Sequence, residues 1–166
     1  DLVFSSNKKV VNLAGIVGGE STSCSINTNS CLVECAYFKP ESIVGKSIKY
    51  DIHSDASHKF ERGVDPLCHE KVLRRFIQIV KDHAMIESIE LYKNEPHDYI
   101  NTELEVDTEK VGKIIGIDLP KDKYFNILRD LGFIINKSIQ VPSFRNDIFH
   151  QNDLAEEVAR VIGYNN

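Results

Sequence analysis

Four stretches of this 166-residue chain hold residue types that can do chemistry. The first is the glycine cluster Gly15-Ile16-Val17-Gly18-Gly19. Its spacing is neither GxGxxG nor GxxxxGK(S/T), and no lysine follows to meet a phosphate, so it does not read as a nucleotide loop. Two readings stay open: a tight turn that needs positive φ, or a place where missing side chains let a substrate approach backbone N–H groups. The second is Glu34, set among apolar neighbours in Leu32-Val33-Glu34-Cys35-Ala36. Strand alternation turns it away from Val33 and Cys35, a position in which a carboxylate ordinarily faces solvent. The third is Ser54-Asp55-Ala56-Ser57-His58, which supplies serine, aspartate and histidine together. Hydrolytic triads are assembled from residues distant in sequence, and three groups crowded into a turn rarely reach that geometry, so no nucleophile is assigned there. The adjacent Glu61 and Arg62 read as a structural ion pair.

The fourth stretch is acidic, with Asp147 followed by Asp153, Glu156 and Glu157. On a helix the last three share one face, and Asp147 arrives from the preceding loop. Oxygen-only ligands suit Mg²⁺, while the same acids also complement the dipole at a helix start; both readings stand at this point. Cys24, Cys31, Cys35 and Cys68 show no CxxC spacing and no secretory leader accompanies them, so they are expected to be reduced thiols in a cytoplasmic protein. The chain begins Asp1-Leu2-Val3-Phe4, without methionine, and reads as an excised fragment.

These residues need elements to position them. Hydrophobic residues make up 42% of the chain, enough for a core, and no apolar run approaches the ~20 residues that span a bilayer. The net charge of −5 argues against a surface built to coat nucleic acid, and Lys110, Lys113, Lys123 and Arg129 are interspersed with acids. Residues 1–38 alternate apolar runs and turns, predicting strands that include Lys9–Ala14 and Cys31–Ala36, with an exposed loop over Glu20–Asn29. A short helix follows Pro40, and the polar stretch to Asp55 is expected to be irregular. Apolar residues from Leu67 to Val80 recur near a 3.6 period, predicting an amphipathic helix over Pro66–Ala84, and Ile86–Leu91 reads as a strand. Lys93–Asp98 reads as a linker, with a domain boundary near Pro96. Beyond it come a strand at Leu104–Val106, a helix to Ile115 ended by Gly116, and a helix after Pro120 ended by Gly132. Strands around 133–135 and 139–141 and a helix from about Asn152 to Ile162 complete a winged-helix-like pattern.

Three segments lie in register with one family. They are Leu13–Glu20 with Leu32–Phe38, His53–Pro66, and Pro142–Asp147 with Asp153–Asn165. In order and spacing they resemble the bacterial-type phenylalanyl-tRNA synthetase β subunit, over essentially the whole chain. The resemblance implies an α+β chain: the C-terminal part of a truncated, mixed α/β editing domain at residues 1–95, then a small winged-helix-like domain at 96–166. It implies an α₂β₂ enzyme that attaches phenylalanine to tRNA(Phe) with ATP, the ATP being bound by the α subunit and not here. This segment is expected to help hydrolyse mischarged tyrosyl-tRNA and to help assemble the subunits, with no catalytic residue of its own assigned. The implied editing pocket comprises Gly15, Gly18, Glu34, Ser54 and Ala56. Glu34 would accept the tyrosine hydroxyl, Ser54 stands where many relatives have threonine, and water would be held by substrate and backbone. A pocket histidine that the family places upstream of Asp1 is lacking, so feeble editing is expected from the fragment alone. Asp147, Asp153, Glu156 and Glu157 would be Mg²⁺ ligands shared with the α subunit. The alternative from another class is a non-catalytic module that binds tRNA or docks a partner subunit.

Overall fold

The structure, a computed structural model, describes residues 1–94 and 99–164, so the expected boundary at Pro96 lies outside the described residues. It divides into two compact units, Asp1–Tyr92 and Lys93–Asn166. Helices and small antiparallel sheets make both units, and the fold class is α+β.

In the first unit, β1 (Val3–Ser6) and β2 (Lys9–Leu13) form a hairpin, and β3 (Val17–Gly18) pairs antiparallel with β2. The hairpin turns through Asn7 and Lys8 at φ of 49° and 64°. Two consecutive left-handed residues match the right-handed twist of the strands they join. Four short helical elements follow Glu20–Thr22, a single 3₁₀ turn: α1 (Pro40–Ile43), α2 (Lys46–Tyr50), α3 (Asp55–Arg62) and the longer α4 (His69–His83). Pro40 opens α1, where its missing N–H costs nothing. Ala14, Ile16, Phe38 and Ile43 form the buried core, with Phe60 edge-on to Phe38 at 5.0 Å.

Three expectations fail here. The segment Cys31–Ala36 is in no strand, and Leu32 is 91% exposed. Apolar content alone does not make a strand; a ladder partner does, and none pairs with this segment among the described residues. Ile86–Leu91 is likewise not a strand. Conversely, the polar stretch expected to be irregular folds into α2, delimited by left-handed Gly45 and Asp51, before Ser54 starts α3. Helix α4 forms as expected, yet no residue of it is buried: Val72, Phe76 and Ile79 line one face at 47%, 41% and 43% exposure.

The second unit runs β4 (Glu103–Leu104), α5 (Thr108–Ile115), α6 (Lys121–Asp130), β5 (Ile134–Ile135), β6 (Ile139–Gln140) and α7 (Gln151–Ile162). Its sheet has the order β4-β6-β5, all antiparallel. The helix limits follow local chemistry. Asp107 accepts from the N–H groups of Glu109 and Lys110 to start α5, and Gly116 ends it at φ 83°. Apolar faces of α5, α6 and α7 meet the sheet in a core that includes Val111, Leu128, Phe133, Val141, Leu154 and Val158. Tyr124 is 1% exposed, and its hydroxyl has no hydrogen-bond partner among the described residues.

Candidate functional site

The hairpin of β2 and β3 gathers most of the residues singled out in the first unit. Asn12 of β2 stands opposite Gly18 of β3 in the register. Its Nδ2 donates to Glu34 Oε2 at 3.4 Å, which brings the carboxylate to the same hairpin across 22 residues of chain. Glu34 is exposed as a residue, yet partial burial of its carboxyl pushes its pKa upward. The Asn12 Oδ1 is buried with no partner among the described residues. A Cβ placed on Gly18 would meet nothing within 4 Å, so this glycine borders open space. Gly15 differs: it turns at φ 69°, and a Cβ there would come within 2.9 Å of Ile43 Cδ1 and 3.0 Å of Phe38 Cδ2. Its missing side chain serves the turn and the packing beneath it.

Ser54 ties α3 to this hairpin. Its Oγ donates to the Ile16 carbonyl at 2.6 Å and accepts from Ser57 N at 3.0 Å, while Ser57 Oγ accepts in return from Ser54 N at 3.3 Å. This reciprocal cap satisfies N–H groups that a helix start otherwise leaves unpaired. The hydroxyl is thus engaged by structure, and His58 Nδ1 lies 3.0 Å from Arg62 Nη1. Ser54 and His58 thus have separate partners. Ala56, half-buried, sits in the first turn of α3. Glu61, expected to pair with Arg62, accepts from Ser47 Oγ at 2.9 Å. The four cysteines are free thiols, and burial pushes the Cys35 and Cys68 thiols up, away from thiolate reactivity.

In the second unit the four acids have separate surroundings. Arg145 forks onto Asp147, with Nε to Oδ1 at 2.8 Å and Nη2 to Oδ2 at 2.7 Å, and reaches Glu157 Oε2 through Nη1 at 2.9 Å. Arg160 also donates to Glu157. These bonds hold both carboxyls below the ordinary carboxylate range. Asp153 Oδ2 accepts from the N–H groups of Phe149 and His150 at 2.8 Å each, and those bonds lower its pKa. Glu156 is exposed. Among the described residues no group of three or more His, Cys, Asp or Glu side chains is placed to hold a metal ion. As folded here, the four acids do not fit Mg²⁺: two are neutralised by arginine and one caps its own helix.

The model of the B3/4 domain family matches residues 1–85, and the model described as tRNA synthetase B5 domain matches residues 104–164. The chain belongs to the B3/4 domain family, whose model covers just over half of it, and over nearly its whole length it is similar to phenylalanine–tRNA ligase beta subunits. A protein of that name from Photorhabdus laumondii is 36% identical over 99% of this chain, and one from Methylococcus capsulatus is 34% identical over 98%. One from Shewanella oneidensis is 36% identical over 99%. The chain spans 22% of the length of each of these relatives. Within this B3/4–B5 segment, two polar residues escaped the sequence reasoning. Asn12 gave no signal because its partner Glu34 is distant in sequence, and Arg145 was read as part of a matching segment with no contact assigned. No helix among the described residues is long and apolar enough to cross a membrane.

Proposed function

We propose that this chain works as the B3/4–B5 portion of a phenylalanine–tRNA ligase β subunit, in an α₂β₂ enzyme that joins phenylalanine to tRNA(Phe) with ATP in the cytoplasm. Residues 1–95 contribute part of an editing pocket that clears tyrosyl-tRNA, and residues 96–166 help dock the α subunit. The observation that carries the reading is the Glu34 carboxyl held beside Asn12, opposite Gly18 and open space. Glu34 offers an acceptor for a phenol hydroxyl; a carboxylate desolvated without that donor is costly, so the phenylalanyl ester is rejected. Gly18 and Ala56 leave room for the ring, Gly15 shapes the turn, and Ser54 fixes α3 against it. Mg²⁺ shared with the α subunit at Asp147, Asp153, Glu156 and Glu157 belongs to the same proposal, and requires Asp147, Asp153 and Glu157 to leave their present partners.

The test is Glu34→Ala in the full-length β subunit reconstituted with its α subunit. Discrimination between tyrosyl-tRNA and phenylalanyl-tRNA hydrolysis is expected to fall by about 1–3 kcal/mol, the usual range for a hydrogen bond to a charged acceptor. An unchanged ratio of the two rates removes Glu34 from the pocket.

A further inference from the structure

The acidic set of the second unit contains a cation of its own. Arg145 lies on the loop before α7 and closes a two-bond fork on Asp147 while its third donor reaches Glu157 on the helix. Its side chain is 16% exposed and that of Glu157 is 10% exposed, so the bridge is largely withdrawn from solvent. With Arg160 also on Glu157, two guanidinium charges face these two carboxylates and match their charge. A planar guanidinium suits this bidentate geometry, whereas Mg²⁺ demands near-octahedral oxygen ligands and gives up its waters reluctantly.

We propose that Arg145 is the resident cation of this cluster, a positioning residue that clamps the loop carrying Asp147 onto α7 and keeps divalent ions off Asp147 and Glu157 in this chain. A metal ion gains those two carboxylates only when the guanidinium swings away. The clamp is independent of the editing and docking roles, and it bears only on the metal part of the proposed function.

The test follows the Arg145 Nε–H resonance of the ¹⁵N-labelled 166-residue chain while Mg²⁺ is raised to about 10 mM, well above ordinary protein affinities for hard cations. Calorimetric titration with Mn²⁺ runs in parallel. The resonance is expected to be protected from exchange without metal and to stay in place throughout. Arg145→Gln is expected to strengthen Mn²⁺ binding about tenfold or more, the scale on which neighbours of metal ligands act, and to lower the urea midpoint of the second unit. Arg145→Lys, which keeps the charge without the fork, is expected to fall between. Saturable displacement of the wild-type resonance by Mg²⁺, or an Arg145→Gln chain that folds without gaining Mn²⁺ affinity, overturns the proposal. If Arg145→Gln does not fold, the wild-type resonance and Arg145→Lys still decide it. A reconstituted α–β complex with no Mg²⁺ dependence would remove the shared-metal reading and leave the clamp standing.

Discussion

At the scale of single residues, one buried side-chain group among the described residues of the second unit is not satisfied by its surroundings. The Tyr124 hydroxyl is buried without a partner among the described residues, and burial pushes its pKa up. Its ring packs edge-on against Phe125 at 5.4 Å, a contact that does not need the oxygen. Tyr124→Phe is therefore expected to stabilise the unit by about 1–2 kcal/mol, because it removes a desolvation penalty and keeps the shape; a raised urea midpoint checks it. The carboxylates carry a pH dependence of definite sign. Asp147 and Glu157 are held below their ordinary range chiefly by hydrogen bonds from Arg145, and Asp153 by the N–H groups of Phe149 and His150. A depressed folded pKa means that the unfolded chain takes up protons first. Their stabilisation is thus present above roughly pH 4 and is lost as the pH falls through the folded values. Glu34, whose pKa is raised, runs the other way over the window just above its ordinary value. Urea midpoints of the second unit measured between pH 6 and 2.5 should fall with acid, and less steeply in Glu157→Gln.

At the scale of elements, the turn of the first hairpin is suboptimal in one position. Lys8 occupies the left-handed region at φ 64°, where a Cβ crowds the backbone and glycine does not. Lys8→Gly creates the Asn-Gly pair this turn favours, and offsets the entropy that glycine loses on folding. The expected gain is about 0.5–1 kcal/mol in the first unit, read from thermal unfolding. The helices of the second unit were legible in the sequence because their limits are local: Asp107, Gly116, Pro120 and Gly132 act within a turn of themselves. The start of α3 was less visible because its reciprocal cap uses Ser57 where the familiar pattern has Glu or Gln. Strands depend on partners far along the chain, which is why Cys31–Ala36 looked like one and is not. The candidate site follows the same division. Glu34 and Ser54 were visible through resemblance, whereas the Asn12–Glu34 bond spans 22 residues and the Ser54–Ile16 bond spans 38, separations that no local pattern encodes.

At the scale of the whole molecule, the two units rest on unequal cores. Among the described residues, the first unit's cluster has Ala14, Ile16, Phe38 and Ile43 as its four buried members, while that of the second has ten, Tyr124, Leu128 and Leu154 among them, between three helices and a sheet. Burial of apolar surface is the main favourable contribution to folding, so the first unit should melt before the second. Leu154→Ala, at a position with no exposure, is expected to cost about 2–5 kcal/mol in the later transition and leave the earlier one in place. Calorimetry resolving both transitions checks this; a single transition shifted as a whole contradicts it. The face of α4 that carries Val72, Phe76 and Ile79 also gives the chain a trait of detergents. An amphiphilic helix presents an oily stripe to water with charged residues beside it, so the folded chain is expected to gather at air–water boundaries, to be retained on phenyl resins and to light up environment-sensitive dyes.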